Sequence, residues 1–378
     1  MQKLILVFCV LLGITSLLFA DDGSQSHQTD KVWASGFVHL GAAFWASGGA
    51  GIADPNNAEA LLYNPAWRMQ AKHLIIGGGL QRLSAQLQYA TDSTADNGQL
   101  VIPNYVLGVS RYGKWMFQGG YREVYNVKNH VSRSLVPLPE QSDAYVDLAM
   151  AQRVSALFMG INRLLGEKLS VGVQAGLLLA YAETDTDEEK YASGSGIGFD
   201  FKAGLLYQPS ERVALAVTYY YLHSIDYNVQ YEPELMMKFY LGTSRTLRFP
   251  SSLAGGVYWK PLNHLSLSFK IQYQNWKAVQ STMDNRLEVA AGLHFQPAKK
   301  IGLRLGGFTS GNYLNGQKNF EDVFFTSAGI DYKMRKNLIF SLSALTSHFF
   351  AGKTGKGYDQ LDQLEILMGI QLRLWENP

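Results

Sequence analysis

The sequence predicts an all-β protein, a transmembrane antiparallel β-barrel of about fourteen strands with an N-terminal plug in its lumen. Three observations lead to this prediction: the sequence has long runs of alternating apolar and polar residues, the connectors between them are alternately short and long, and no apolar run after the first twenty residues is as long as a membrane-spanning helix. A membrane-spanning helix needs roughly 18 consecutive apolar residues, whereas a tilted strand crosses with about ten. The aromatic content of 12% fits either a membrane barrel or a soluble all-β protein, so the strand pattern has to decide.

The run from Leu265 to Trp276 ("LSLSFKIQYQNW") shows the alternation most clearly. Strands of soluble sandwiches usually span about five to six residues, but here strict period two continues for about ten. The run "RLEVAAGLHF" repeats the pattern. We therefore expect one face to meet lipid, with Leu267, Phe269, Ile271, Val289 and Leu293, and the other to meet the lumen, with Ser268, Lys270, Gln272 and Glu288.

The connectors differ systematically between the two ends of the predicted strands. "QPSER", "KPLNH" and "QPAKK" are tight turns, whereas "YNVKNHVSRSLVPLPEQSD" and "ETDTDEEKYASGSG" are long. Short turns at one end and long loops at the other are typical of outer-membrane barrels, and their strand number is even. The runs lie at 73–91, 100–112, 114–125, 144–157, 168–183, 196–208, 212–228, 249–260, 263–277, 286–297, 300–309, 322–334, 336–348 and 362–375. A soluble propeller or sandwich remains the alternative.

The first twenty residues are typical of a secretory signal peptide. Lys3 is followed by an apolar run and then by Ala20, after which the chain becomes polar. We expect cleavage after Ala20 and localisation in the outer membrane of a Gram-negative bacterium, with a retained membrane anchor as the alternative. Cleavage would remove Cys9, the only cysteine, which excludes cysteine-based metal sites, thiol nucleophiles and disulfides. The formal net charge of +2 gives no indication of a nucleic-acid partner.

The domain organisation follows from these patterns as a signal peptide (1–20), an N-terminal plug or hatch (21–66) and the barrel (67–378). A barrel of about fourteen strands has a lumen too wide for its own side chains to fill, so it is open or plugged. The segment before the first strand is rich in Gly, Ala and Asn, which suits compact irregular structure inside the lumen. We expect Asn64, Pro65 and Ala66 to end the plug, because proline fixes φ and restricts the residue before it. An ordinary periplasmic tail is the alternative.

A resemblance to a known family rests on an ordered series of motifs. "GGAGIADPNNAEALLYNPA" is similar to the hatch of the FadL/TodX family of outer-membrane transporters for long-chain fatty acids and other hydrophobic compounds. "GLLYQPSERVALAVTYYY" and "RLEVAAGLHFQPAKKIGLRLGGF" resemble later parts of the same family. The resemblance implies a fourteen-stranded barrel with an N-terminal plug, and diffusion of hydrophobic substrates through a lateral opening in the wall.

The chain departs from the family pattern at two places. The sequence after Ala20 begins with the polar stretch "DDGSQSHQTDK", whereas family members place apolar residues there. The inward kink of the third strand often carries an Asn/Pro-aromatic-Gly element in the family, and this chain instead offers Gly119 and Gly120. We therefore expect these two glycines at the lateral gate.

A fatty acid needs a pocket with many apolar contacts and one or two cations. The plug offers apolar candidates for the tail in Trp33, Phe37, Phe44 and Trp45. The alternation directs Lys202, Lys270 and Arg304 into the lumen as candidates for the carboxylate. The alternative is that these cations pair with lumenal carboxylates and only brace the barrel.

Other functions lack a matching constellation in the sequence. No serine and histidine are placed to act together, so we expect no enzyme activity, no cofactor and no metal site. A structural or secretion-associated barrel that shares the Asn-Pro-Ala hatch without carrying fatty acids remains the alternative function. The expected partners are hydrophobic small molecules, outer-membrane lipid, lipopolysaccharide and the barrel assembly machinery, and the chain is expected to be a monomer.

Overall fold

The computed structural model is a closed β-barrel with a plug in its lumen. It describes residues 28–30, 37–69, 73–88, 94–135, 145–186, 190–231, 244–279, 281, 284–312, 321–347 and 360–375. The predicted signal peptide, Trp33 and most of the long connectors lie outside these ranges.

Fourteen antiparallel strands form the wall, and two of them are interrupted once. Each pairs with its neighbours along the chain, and the last strand pairs with the first from Trp375↔His73 to Gln360↔Gln88, which closes the barrel. The strands are β1 (His73–Gln88), β2 (Thr94–Tyr112), β3 (Trp115–Leu135), β4 (Tyr145–Leu165), β5 (Leu169–Thr186), β6 (Lys190–Ser210), β7 (Val213–Leu222, continued as Ile225–Tyr231), β8 (Ser244–Leu247, continued as Ser251–Leu262), β9 (Leu265–Asn275), β10 (Arg286–Ala298), β11 (Ile301–Asn312), β12 (Glu321–Arg335), β13 (Leu338–Thr346) and β14 (Gln360–Trp375).

Alternation along the strands separates an apolar exterior from a polar interior. On β9, Phe269 is 49% exposed on the outer face, while the adjacent Lys270 is buried inside. Ile271 and Val289 are likewise exposed outside, and Leu267 and Leu293 are half-buried there. Every strand of the described wall follows this pattern, so the exterior is a continuous apolar band suited to lipid.

The two ends of the barrel differ, as the connectors predicted. Six tight turns (113–114, 166–168, 211–212, 263–264, 299–300 and 336–337) lie at one end, called the turn side below, and the opposite end is called the loop side. Several strands extend further toward the loop side than predicted: β3 continues to Leu135, and β6 begins at Lys190 inside a predicted connector. Both faces of a strand meet water beyond the bilayer, so the alternation disappears there although the hydrogen-bond ladder continues.

The hatch consists of short helical turns that fill the lumen. These are the helix α1 (Ala42–Ala46) and the 3₁₀ turns Gly51–Ala53 and Ala58–Leu62. Gly41 precedes α1 with a φ of 87°, a conformation that favours glycine, and Asn57 accepts a hydrogen bond from Glu59 N at the start of the last turn. Nearly all hatch side chains from Leu40 to Met69 are buried against the wall. Among the described residues, no helix is long and apolar enough to cross a membrane.

Inward-facing glycines of the wall let the hatch backbone approach closely. A Cβ built on Gly172 would lie 2.3 Å from Pro65 O, and one on Gly204 would lie 2.1 Å from Asn64 Oδ1. Further glycines of this kind, on β8, β10, β11, β12 and β14, face other parts of the hatch: Gly256, Gly292, Gly306, Gly329 and Gly369. These glycines therefore allow the wall and the hatch backbone to pack in direct contact.

Candidate functional site

The Asn64-Pro65-Ala66 element anchors the hatch to the wall. Asn64 is fully buried; its Oδ1 accepts from Ala66 N (3.0 Å), and its Nδ2 donates to Ile52 O (3.2 Å). The carbonyl of Pro65 accepts from Asn162 Nδ2 at 3.1 Å. The element thus ties two turns of the hatch together and joins them to β4, shortly before the chain enters the wall at β1.

The hatch separates two cavities inside the barrel. The loop-side cavity has a volume of about 180 Å³ and contains mainly aromatic and aliphatic walls with a few charged groups. The turn-side cavity has a volume of about 410 Å³ and is lined largely by polar and charged side chains of β8 to β14. Because pockets for hydrophobic ligands are mostly apolar with few polar groups, the loop-side cavity is the candidate functional site.

Two hatch aromatics form the floor of the loop-side cavity. The indole Nε1 of Trp45 donates to the hydroxyl of Tyr63 at 2.6 Å, and that hydroxyl also bonds the backbone of Leu40. The ring of His39 lies against that of Trp45, with ring centres 4.0 Å apart and the ring planes tilted by 53°. Because Tyr63 satisfies the polar groups of Leu40 and Trp45, the floor presents aromatic surface with few open hydrogen-bonding groups.

Phe37 belongs to an aromatic cluster that closes the cavity on the loop side. Its ring lies edge-on to Tyr125 (5.8 Å), Phe249 (6.1 Å) and Trp276 (6.2 Å). Edge-to-face pairs of this kind contribute about 0.5–1.5 kcal/mol beyond burial. The cluster therefore forms an apolar cover over the cavity.

Lys202 on β6 and Lys270 on β9, three strands apart in the wall, line the loop-side cavity. Lys202 Nζ donates to Leu62 O at 2.5 Å and lies 4.4 Å from the centre of the Tyr220 ring. Lys270 Nζ contacts Gln272 Oε1 at 3.1 Å and lies 5.7 Å from the Trp45 ring centre. Within the described part of the chain, neither ammonium has a carboxylate at ion-pair distance. The cavity therefore holds two cations whose charge is not neutralised by direct pairing.

The carboxylates around this cavity are already engaged. Asp200 pairs with the buried Arg122 and accepts from Tyr220 OH at 2.9 Å. Glu123 pairs with Arg153 at 2.5 Å, and Glu288 pairs with Arg286 at 3.4 Å. Each of these carboxylates has an arginine as its ion-pair partner, so these pairs brace the wall and none of the three is in direct ion-pair contact with Lys202 or Lys270.

The wall is interrupted between β2 and β3, next to the loop-side cavity. The strands pair from Tyr112↔Trp115 to Tyr105↔Arg122, and then no pairs form until Asp96↔His130. A bulge between Glu123 and Tyr125 bends β3 at the same level. Residues 97–104 of β2 and 123–129 of β3 are therefore not paired with each other, which leaves a gap in the hydrogen-bond ladder where the wall separates the cavity from the membrane.

Gly119 and Gly120 lie immediately before this gap. A Cβ on Gly120 would lie 1.9 Å from Val106 O, so only glycine allows β3 to pass this close to β2. Gly119 is less crowded, with 3.3 Å from a built Cβ to Phe158 O. The predicted gate residues thus sit where the strand begins to depart from its partner.

The hatch segment 37–39 occupies the inner side of the gap. Phe37 forms an isolated bridge with Tyr125, and Val38 N donates to Val124 O at 3.2 Å. On the opposite edge, Asn104 Nδ2 donates to His39 O at 3.2 Å. His39 Nδ1 also contacts Glu365 Oε2 at 2.8 Å, which connects the segment to β14.

The predicted ligand residues divide between several places. Phe37, Trp45, Lys202 and Lys270 line the loop-side cavity. Phe44 does not, because its ring is fully buried beneath Tyr63, with ring centres 4.0 Å apart. Arg304 lines the turn-side cavity and pairs with Asp331 at 2.6 Å, which is the bracing role of the alternative interpretation. Trp33 lies outside the described residues.

Sequence reasoning missed three residues of the site. Tyr63 lies within the hatch motif quoted above, and its position after an apolar run and before Asn64-Pro65 could have indicated a buried aromatic residue. Arg122 and His39 gave no such signal, because their partners Asp200 and Glu365 are far away in sequence. Among the described residues, no group of three or more histidine, cysteine or acidic side chains is placed to hold a metal ion.

Comparison with known proteins finds a match in structure but none in sequence. No family model matches the chain, and no curated protein matches it. The toluene transporter TbuX of Ralstonia pickettii superposes with a TM-score of 0.68 at 15% identity, covering 89% of this chain and 98% of that one. A FadL homologue of Pseudomonas aeruginosa gives 0.65 at 12% identity, with 90% and 99% covered.

A third solved structure completes the comparison. The toluene transporter TodX of Pseudomonas putida gives a TM-score of 0.62 at 12% identity, covering 93% of this chain and all of that one. The chain therefore has the fold of the FadL/TodX outer-membrane transporters, a closed fourteen-stranded barrel.

Proposed function

We propose that this chain is a passive outer-membrane transporter of the FadL/TodX family that carries hydrophobic compounds, with long-chain fatty acids as its substrates. The observation that supports the proposal is the loop-side cavity, which combines aromatic walls with two lysines that have no carboxylate at ion-pair distance among the described residues. A fatty acid combines one carboxylate with an apolar tail, and its two parts match these two features. A pure hydrocarbon would contact the apolar walls but would offer no charged group to either ammonium.

The size of the cavity connects binding to the gap in the wall. Its volume of about 180 Å³ is below the roughly 300–1,000 Å³ of pockets that enclose a drug-sized ligand. A long acyl tail must therefore displace part of the surrounding structure. The segment 37–39 lines the cavity and covers the gap between β2 and β3, so its displacement would direct the tail toward lipid.

Further parts of the proposal concern the setting of the protein. We infer that the chain acts as a monomer in the outer membrane, surrounded by lipid and lipopolysaccharide, after signal-peptide cleavage and insertion by the barrel assembly machinery. The apolar exterior supports membrane insertion, and outside the gap between β2 and β3 the described strands pair their backbone groups with neighbouring strands.

The experiment that tests the proposal compares an acid with a neutral molecule of equal length. We would measure the affinity of palmitate and of hexadecanol for the purified protein and for Lys202→Gln and Lys270→Gln. Glutamine keeps a hydrogen-bond donor but removes the charge. Since a charge-assisted contact contributes about 1.5–3 kcal/mol, at least one variant should bind palmitate about tenfold more weakly and hexadecanol equally well.

Lys260→Gln provides the matched control, because Lys260 faces the turn-side cavity. It should leave both affinities unchanged. If neither lysine variant separates palmitate from hexadecanol, the substrate is not recognised as an acid in this cavity. If the parent protein binds neither compound saturably, the structural or secretion-associated role becomes the better account.

A further inference from the structure

The turn-side cavity is more than twice as large as the loop-side one, with a volume of about 410 Å³ against about 180 Å³. It lies between the hatch and the half of the wall formed by β8 to β14. Its size falls within the range of ordinary small-molecule sites. The transport function proposed above uses the other cavity and gives this one no role.

Besides Arg304, which pairs with Asp331, three cations line the turn-side cavity from three different strands. They are Lys260 on β8, Lys333 on β12 and Arg373 on β14. Within the described ranges, none of the three has a carboxylate at ion-pair distance. The Nε of Arg373 is buried and has no hydrogen-bond partner among the described residues, and its Nη2 reaches only Gln371 Oε1, at 3.4 Å.

The acidic groups of the same cavity are engaged elsewhere. Asp331 accepts from Arg304 Nε at 2.6 Å and from Ser341 Oγ at 2.7 Å. Glu59 accepts from Phe44 N at 2.9 Å and from Tyr105 OH at 2.8 Å. The cavity therefore has an excess of positive charge that its own side chains do not neutralise.

Neutral polar groups complete the lining. Asn57 and Asn263 face the cavity from the hatch and from the turn after β8, and Gln296 and Gln371 face it from the wall. Amide groups and cations together suit the oxygen atoms of a carboxylate or phosphate. The lining of this cavity is more polar than that of the loop-side cavity, although apolar side chains of the hatch and the wall also contribute to it.

We propose that the turn-side cavity is a second binding site that takes small hydrophilic oxyanions, either carboxylates or phosphate. Lys333 and Arg373 supply the charge, and the surrounding amides supply further hydrogen bonds. The site is independent of the transport of hydrophobic compounds, because its ligand needs no apolar tail and does not touch Lys202 or Lys270.

Binding of citrate and of inorganic phosphate to the purified full chain in a neutral detergent tests this site. The test variant is Lys333→Gln/Arg373→Gln. The control is Lys299→Gln/Lys300→Gln, which removes the same charge from exposed turn lysines that do not line the cavity. Titration calorimetry should show saturable binding of at least one anion, about tenfold or more weaker in the test variant and within about twofold of the parent in the control.

Absence of saturable binding of both anions would overturn the proposal. An equal loss of affinity in both double variants would also overturn it, because the anions would then respond to the overall positive charge of the protein and not to the cavity. Binding of citrate without phosphate would assign carboxylates as the ligands, and the reverse would assign phosphate. Because citrate has no apolar tail, failure here leaves the palmitate experiment unaffected.

A second measurement covers the case in which the test variant fails to fold. Gln371→Cys in a Cys9→Ser background places one thiol in the cavity of an otherwise intact protein. Citrate should slow labelling of this thiol by a polar maleimide if it occupies the cavity. Equal labelling rates with and without saturating citrate and phosphate would contradict the proposal.

Discussion

Single glycines of the wall determine how closely the hatch can pack. Gly256 faces inward on β8, where a built Cβ would lie 2.5 Å from Ile52 Cγ1 of the hatch. Its neighbour Gly255 faces outward, and the nearest atom to its built Cβ is Ile271 Cγ2 at 3.9 Å. The two positions share one strand and one backbone conformation, so they differ mainly in the presence of the hatch.

Gly256→Ala should therefore weaken hatch docking, while Gly255→Ala should not. Forcing an extra methyl group into packed structure costs about 1–3 kcal/mol, and an outward methyl group meets only lipid. Hydrogen exchange of the hatch amides between Ala42 and Leu62 measures docking, because the barrel itself stays folded. Equal exchange rates in the two variants would show that the hatch does not rest on this glycine.

The carboxyl of Glu59 makes hatch docking sensitive to pH. Burial raises its pKa above the ordinary value of about 4.3, although hydrogen bonds from Phe44 N and Tyr105 OH act in the opposite direction. A carboxyl whose pKa is raised on docking binds protons more tightly when docked. Docking is therefore most stable below pH 4.3 and loses stability as the pH rises through the raised pKa.

We expect hatch amides to exchange faster, relative to a free peptide, at pH 8 than at pH 5. Glu59→Gln should reduce this difference, since glutamine can accept from Phe44 N with its Oε1 and donate to Tyr105 OH with its Nε2. Burial also raises the pKa of Asp54, which leaves a smaller dependence of the same sign. An identical pH dependence in parent and variant would contradict a role for Glu59.

At the scale of elements, the gap between β2 and β3 gives the segment 37–39 its importance. Phe37 and Val38 of the hatch contact the edge of β3 that is not paired with β2. Among the described residues, these contacts include one backbone hydrogen bond to β3, so we expect the segment to separate from the wall more easily than a full strand.

The variant Phe37→Cys/Tyr125→Cys can lock the segment in place. The two residues face each other in an antiparallel bridge, a geometry that a disulfide can span. Uptake of palmitate into vesicles containing the oxidised variant should fall strongly and recover on reduction. The reduced form is the control, since it carries the same packing defects without the link. Full uptake by the oxidised form would mean that the segment need not move.

The strand order and faces of the barrel were predictable from the sequence, because alternation records which side of each strand meets lipid. The hatch turns at Gly51–Ala53 and Ala58–Leu62 were not, since turns this short take their shape from the surrounding wall. The ion-pair partners of the lumenal charges could not be predicted from the sequence either. Arg304 and Lys270 follow the same inward pattern, yet only Arg304 finds an aspartate on the neighbouring strand.

For the whole molecule, the hatch divides the lumen into two chemically different compartments. The loop-side cavity has aromatic walls, and its two lysines contact no carboxylate in the described part of the chain. It adjoins the gap in the wall. The turn-side cavity is polar and rich in cations. A hydrophobic acid that enters from the loop side would therefore reach the loop-side cavity and the gap between β2 and β3 before it reached the turn-side cavity.

Mass spectrometry of small molecules extracted from gently purified protein tests the central claim most directly. The parent protein and the Lys202→Gln/Lys270→Gln variant would be purified side by side in the same detergent. The account predicts long-chain fatty acids enriched over the bulk membrane extract in the parent and depleted in the variant. Equal amounts of acid in both preparations, or enrichment of neutral compounds alone, would contradict it.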